Sequence, residues 1–154
     1  MIGRPLRSTV FQYTTLFRNT KGDKCIEFEK RWSEWLGVKY SAFVSSGSAA
    51  NLISMSVLKT LFPDGGEVIV PPLTWVSDIA TVIQTGFKPV FCDINLSTLS
   101  MSEEEIIKKV SKSTRAVFLT HAQGFNGISN SLLKFLDNRG IQLIEDVCES
   151  HGAT

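Results

Sequence analysis

The sequence has few cysteines and no cysteine pair at metal-binding spacing. Its three cysteines, Cys25, Cys92 and Cys148, are odd in number, form no C-x-x-C pair and have no histidine at zinc-finger spacing. This usage favours reduced thiols in a cytoplasm over a disulfide framework or a zinc finger. We therefore expect a cytoplasmic protein without a metal site.

The sequence also lacks a concentration of positive charge and a long apolar run. Its formal net charge is +1, and its lysines and arginines do not cluster beyond short pairs, which disfavours nucleic acid as a partner. The longest apolar runs are shorter than a membrane span, and no apolar segment follows the amino-terminal arginines as in a signal peptide. We expect neither a nucleic-acid partner nor a membrane partner.

Three common ligand-binding motifs are missing as well. There is no G-x-G-x-x-G after the first predicted strand, which disfavours a dinucleotide, and no G-x-x-x-x-G-K-[ST] for a P-loop nucleotide. Ser48 is not surrounded by a G-x-S-x-G elbow, which argues against a hydrolase nucleophile.

What the sequence does contain is a regular alternation of short apolar strands and helices. With 154 residues, of which 43% are hydrophobic, it can form one domain with a core. The alternation predicts an α/β fold, with a mostly parallel sheet and helices on both faces. Residues 1–22 lack periodicity and are predicted to be an N-terminal arm. The predicted strands are 40–44, 67–70, 89–92, 116–119 and 142–144, and the predicted helices are 25–36, 48–61, 76–85, 102–110 and 129–138.

Polar and aromatic side chains follow each predicted strand, where ligands of parallel sheets bind. A phosphate seat, an aromatic plate and an acidic pair on one edge predict a planar, phosphorylated, basic ligand. In strand order, the residues are Ser46, Gly47 and Ser48; Thr74, Trp75 and Asp78; Asp93; His121 and Gln123; and Glu145, Asp146, Glu149 and His151.

The candidate phosphate seat is the stretch from Val44 to Asn51. It is predicted to contain a strand end, a tight turn at Gly47 and the first turn of a helix near Ser48. Free backbone amides and the positive end of the helix dipole favour an anion there. The alternative is a purely structural turn, because strand–glycine–helix turns are common.

The other candidates have structural alternatives too. Trp75 could simply pack its helix, and His121 could brace a strand end instead of acting in catalysis. The Glu145-Asp146 pair is different, because it follows an apolar strand directly. An unpaired carboxylate in such a place is costly, so we expect it to have a cationic partner.

Five motifs occur in order along the chain: Phe28-Glu29 with Leu36–Tyr40, Ser46–Ala50, Pro72–Trp75, Asp93 with His121 and Gly124, and Glu145–Ala153. In this combination the sequence resembles the DegT/DnrJ/EryC1/StrS family. These are pyridoxal-phosphate enzymes of fold type I, mostly aminotransferases acting on nucleotide-linked keto-sugars. The resemblance runs from about Gly22 to the end. It implies that residues 23–154 are the N-terminal portion of the large domain, without its remainder or the small domain.

The resemblance also implies roles for individual residues around pyridoxal 5'-phosphate. Asp146 would be the main catalytic residue and His121 a weaker candidate. Glu149 stands where the family usually has glutamine, and an ionised glutamate can only accept a hydrogen bond. The implied contacts are Gly47, Ser48 and Ala49 with the phosphate, Trp75 with the ring face, Asp146 with the protonated ring nitrogen and Glu149 near the phenolic oxygen.

No lysine of this chain matches the family's Schiff-base lysine. The resemblance therefore implies that the chain alone does not transaminate. It would be a truncated enzyme, one part of a split enzyme, or a non-catalytic remnant that binds phosphate, pyridoxal phosphate or a partner. In some relatives a histidine replaces the lysine and the enzyme dehydrates C3 of a keto-sugar, which is the alternative activity. The implied partners are a nucleotide-sugar, an amino donor, and a second copy in a homodimer or a complementary chain.

Overall fold

Most of the candidate residues lie at or just after the carboxyl ends of four parallel strands. The computed structural model describes residues 22–152. Within that range the strands are β1 (Glu67–Val70), β2 (Lys88–Phe91), β3 (Thr114–Thr120) and β4 (Gln142–Asp146). Their order across the sheet is β2-β1-β3-β4, and every neighbouring pair is parallel. The predicted α/β class with a parallel sheet is confirmed.

Helices cover both faces of this sheet, because its two central strands are apolar on both sides. In β1, Val68 and Val70 belong to one hydrophobic cluster, whereas Ile69 between them belongs to another. The described helices are α1 (Asp23–Leu36), α2 (Gly47–Leu61), α3 (Val76–Gln84), α4 (Glu103–Lys109) and α5 (Asn130–Asp137). Side chains of α2 and α3 complete the first cluster, and side chains of α4 and α5 complete the second.

Residues 22–44 are the described part of a separate amino-terminal unit. Its helix α1 is held to the segment after it by aromatic and polar contacts. The Phe28 and Phe43 rings lie 5.2 Å apart, and the Phe43 backbone amide donates to Glu29 Oε1 at 2.7 Å. The helix ends at Gly37, as predicted, because its φ of +69° suits glycine. The predicted arm lies outside the described residues except for Gly22.

The predicted strand at 40–44 is wrong. This segment is irregular, and none of the described strands pairs with it. Tyr40 and Phe43 are exposed. An apolar run becomes a strand only when a neighbouring strand satisfies its backbone groups, and composition alone cannot show whether such a neighbour is present.

Candidate functional site

The carboxyl-terminal edge of the sheet contains a polar network centred on Asp78, in the first turn of α3. Asp78 is fully buried, with a relative exposure of 0%. Its Oδ1 accepts a hydrogen bond of 2.7 Å from the Asn51 side-chain amide of α2. Its Oδ2 accepts from Thr120 Oγ1 at 2.9 Å and from Thr74 Oγ1 at a shorter distance. Residues that follow β1, that end β3 and that begin α2 therefore meet at one buried carboxyl group.

Asp146 lies beside this network, at the end of β4. Its Oδ2 is 3.3 Å from Asn51 Nδ2, and its Oδ1 accepts from the Cys148 backbone amide at 3.0 Å. Asn51 lies about one helical turn after Gly47, so the Asp146 carboxylate lies near the first turns of α2. The side chain of Asp146 is half-buried.

The two carboxyl groups differ in proton affinity. Burial raises the pKa of Asp78, and the charge of Asp146 adds to the effect despite the hydrogen bonds from Thr74 and Thr120. Burial also disfavours the charged form of Asp146. Hydrogen bonds from Cys148, Asn51 and Asp78 outweigh burial there and hold the pKa of Asp146 below its usual value. Of the two groups, Asp146 is therefore the one that loses its proton more readily.

A cavity of about 470 Å³ opens in front of Asp146. Trp75, Asp146 and Glu149 line the same cavity, and Trp75 is 69% exposed. None of the described residues that line it is a lysine, arginine or histidine. The lining therefore combines the Asp146 carboxylate with the exposed Trp75 ring, and no described lining residue supplies a cation for that carboxylate. The other lining residues are Leu73, Thr74, Leu99, Thr120, Ala122, Gln123 and Cys148.

The predicted phosphate seat lies at the start of α2 and does not line this cavity. Ser46 caps the helix, and its Oγ accepts from the Ala49 backbone amide at 3.2 Å. The backbone amides of Gly47 and Ser48 have no acceptor among the described residues. A Cβ added at Gly47 would meet nothing within 4 Å. Two amides at an open helix end thus remain available for an anion.

Glu149 already has a backbone partner. Its Oε2 accepts a hydrogen bond of 2.6 Å from the Gln123 amide. That amide belongs to a short 3-10 turn, Ala122–Gly124, in which Gln123 has a φ of +57°. One carboxylate oxygen therefore stabilises a left-handed turn at the rim of the cavity.

His121 lies on the other side of the sheet edge. Its Nε2 is 2.9 Å from Glu145 Oε1, and its Nδ1 accepts from the Gly127 amide at 3.3 Å. It lines a second cavity, of about 320 Å³, with Glu145 and without Asp146. Successive side chains of a strand point to opposite faces, so Glu145 and Asp146 face different cavities. These are the contacts of a brace, and a catalytic role for His121 stays a prediction.

The sequence placed Asp78 among the polar residues of this edge and Asn51 at the end of the phosphate-seat stretch, but it predicted no individual role for either, and it did not point to Thr120. Asp78 offers a signal in hindsight, because it is the one charged residue of α3. A lone carboxylate on a short apolar helix indicates burial with partners. Asn51 and Thr120 carry no comparable signal, because polar residues at helix and strand ends are common.

The fold and motifs match a known family. The model of the DegT/DnrJ/EryC1/StrS aminotransferase family matches residues 9–154. The chain belongs to this family. The resemblance found in the sequence is thereby confirmed.

Curated members of the DegT/DnrJ/EryC1/StrS family include two with different activities. GDP-perosamine synthase of Vibrio cholerae is 37% identical over 134 residues, covering 87% of this chain and 36% of that protein. GDP-4-keto-6-deoxy-D-mannose 3-dehydratase of Yersinia pseudotuberculosis is 33% identical over 138 residues, covering 87% and 35%. The chain thus spans little more than a third of these relatives.

Solved structures of family members superpose on most of the chain. The E. coli GDP-4-keto-6-deoxy-D-mannose-3-dehydratase with bound hydrated pyridoxal phosphate has a TM-score of 0.80 and 32% identity, covering 100% of this chain and 41% of that one. The Bacillus subtilis NtdA structure, with bound PMP, has a TM-score of 0.81 and 26% identity, covering 97% and 34%. Both structures therefore hold the cofactor that the sequence predicted or its amine form.

No helix among residues 22–152 combines the length and the apolar character needed to cross a bilayer.

Proposed function

We propose that this chain forms the pyridoxal-phosphate site of an enzyme that transfers an amino group to a nucleotide-linked keto-sugar. The observation that carries the proposal is the half-buried Asp146 carboxylate, which shares a cavity with Trp75 and has no cation among the described lining residues. A charge in such a place needs a cationic partner. A protonated pyridine ring supplies that cation, and its flat face suits an indole.

Different residues of the chain bind different parts of this cofactor. Asp146 keeps a proton on the ring nitrogen, and Trp75 stacks on the ring. The phosphate binds at the start of α2, to the free amides of Gly47 and Ser48 and to the adjacent Ala49. Glu149 lies at the cavity rim, where its free oxygen can accept from a protonated group. When bound, the cofactor supplies an electron-withdrawing ring for chemistry at a substrate amine.

The lysine required for transamination has no candidate in this cavity, because no lysine among the described residues lines it. We propose that this group comes from outside residues 22–152, either in the same polypeptide, in a second copy or in a complementary chain. A homodimer or a split enzyme then supplies the missing chemistry, and residues 22–152 by themselves bind cofactor without turnover.

A 3-dehydratase of the same family is the second candidate. It is favoured by the relatives, since the Yersinia dehydratase is 33% identical and the E. coli dehydratase structure has a TM-score of 0.80. The cavity described above fits both activities, because both require the same cofactor. The two activities differ in the residue at the Schiff-base position, which is a lysine in the aminotransferases and a histidine in the relatives that dehydrate C3.

Cofactor binding is the first test. The protein, purified as its gene encodes it, is titrated with pyridoxal phosphate and, separately, with inorganic phosphate. We expect Asp146→Ala to weaken pyridoxal-phosphate binding at least about tenfold, the effect of losing an ion pair, and to leave phosphate binding unchanged. Asp93→Ala is the matched control, because Asp93 is an exposed carboxylate at the same edge that does not line the cavity. Equal pyridoxal-phosphate affinity of the wild type and Asp146→Ala refutes the assignment.

Product analysis is the second test. The same protein is incubated with pyridoxal phosphate, glutamate and a GDP-linked 4-keto-6-deoxy sugar, and the products are read by mass spectrometry. An amino sugar formed with 2-oxoglutarate indicates the aminotransferase. A keto-sugar that has lost its C3 hydroxyl indicates the dehydratase. Binding of cofactor without either product indicates the non-catalytic remnant.

A further inference from the structure

Asp78 is a buried carboxyl group that the proposed function leaves without a task. Its hydrogen-bond donors are the Asn51 amide and the hydroxyls of Thr74 and Thr120, all of which are uncharged. No described cation contacts it. A carboxylate that is fully buried without a cation is strongly disfavoured relative to its neutral acid.

The neighbouring carboxyl group is that of Asp146, and both carboxyl groups lie beside the same side chain, Asn51. The Asn51 amide lies within 3.3 Å of an oxygen of each. Two carboxyl groups form a mutual hydrogen bond only when one of them keeps a proton. Asp146 faces the cavity and accepts from the Cys148 backbone amide, so the charge is better stabilised there.

We propose that Asp78 is a positioning residue that stays protonated and donates a hydrogen bond to the Asp146 carboxylate, so that the pair presents one negative charge to the ring nitrogen of the cofactor. One charge matches one pyridinium cation. Two charges would leave one buried and unpaired. The inference rests on the proposed function for the identity of the cation, whereas the shared proton follows from residues of this chain alone.

Two substitutions at Asp78 separate a proton donor from a charge. Asp78→Asn keeps an N–H donor of similar shape and stays neutral, so it should bind pyridoxal phosphate within about threefold of the wild type. Asp78→Ala removes the donor and frees Asp146 to turn, so it should weaken binding about tenfold or more. The loss should largely disappear with the 1-deaza analogue of the cofactor, which lacks the ring nitrogen.

The protonation states of Asp78 and Asp146 are measured in the absence of cofactor. Carbon-13 NMR of the aspartate-labelled protein follows each carboxyl carbon with pH, and Asp78→Asn identifies the Asp78 signal. We expect the Asp78 carboxyl to remain protonated at pH 7 while Asp146 is ionised. Cys148 and Glu149 are the other ionisable groups that line the cavity. Cys148→Ser and Glu149→Gln therefore show that the Asp78 signal is not reporting their titration.

The outcomes distinguish this inference from the proposed function. An ionised Asp78 at pH 7, or equal pyridoxal-phosphate affinities of Asp78→Ala and wild type while Asp146→Ala binds weakly, overturns the inference and leaves the function standing. Equal affinity of Asp146→Ala and wild type overturns the function, and the NMR titration then decides the shared proton by itself. If Asp78→Ala does not fold, the Asp78→Asn affinity and the NMR titration still decide.

Discussion

The side-chain amide of Asn51 donates a hydrogen bond of 3.3 Å to Asp146, 95 residues further along the chain. The same nitrogen lies 2.7 Å from Asp78. One amide group thus ties the start of α2 to the first turn of α3 and to the end of β4. The arrangement of the candidate site depends on this side chain, which leads to the first prediction.

Replacing Asn51 by alanine should lower the free energy of unfolding by about 1–3 kcal/mol, because the buried Asp78 carboxyl loses a donor that nothing else replaces. Urea unfolding measures the effect. Ser56→Ala is the matched control on the same helix, because Ser56 is exposed and should change stability by no more than about 0.5 kcal/mol. Equal stability of Asn51→Ala and Ser56→Ala would show that the network does not stabilise the fold.

The Cys148 thiol should react slowly although its residue is exposed. Burial of the sulfur, with the nearby Asp146, raises the pKa of Cys148 to about 11, so only about one thiol in a thousand is ionised at pH 8. The alkylation rate in a Cys25→Ser background, with Cys92 buried, should rise about tenfold per pH unit from pH 7 to 10. Asp146→Asn should speed alkylation at pH 8, because it removes the negative charge. A rate that levels off near pH 8.5 would contradict this prediction.

Glu67 should contribute stability that depends on pH. Hydrogen bonds from Ser111 and Lys88 hold its pKa below the usual value, so the contribution is present above the unfolded value, about 4.3, and is lost as the pH falls through the folded value. Ser111→Ala should therefore be less stable than wild type at pH 7, with the difference shrinking below about pH 4. Ser113→Ala, in the same loop, provides the control. A difference that is constant with pH would assign the effect to the loop and not to Glu67.

Gly127 should not tolerate a side chain. A Cβ there would lie 1.8 Å from Ser100 Oγ and 2.4 Å from Ser100 Cβ, and Ser100 is buried. Gly127→Ala should cost about 1–3 kcal/mol through overpacking, measured by urea unfolding. Gly47→Ala is the control, because its added Cβ meets nothing within 4 Å. The double variant Gly127→Ala/Ser100→Gly should be more stable than the sum of the two single effects, and strict additivity would exclude a direct clash.

The sequence allowed prediction of the α/β class, four strands and the gathering of Trp75, Asp146 and Glu149 at one edge, because these follow from local periodicity and from the geometry of parallel sheets. The strand predicted at 40–44 failed because strand formation requires a pairing partner, which a local pattern cannot reveal. The Asn51–Asp78–Asp146 network was not predictable either. Its members lie in three separate elements, and only their packing brings them within hydrogen-bonding distance.

The position of β3 between β1 and β4 has a consequence for how the chain folds. Thr120, which pairs with Asp146 across the ladder, contacts Asp78 only in the observed register. A slip of one residue would replace it with Leu119 or His121, whose side chains belong to the opposite face. The buried acid would then meet no hydroxyl. The hydrogen bond between Thr120 and Asp78 therefore favours the observed strand register over a slipped one.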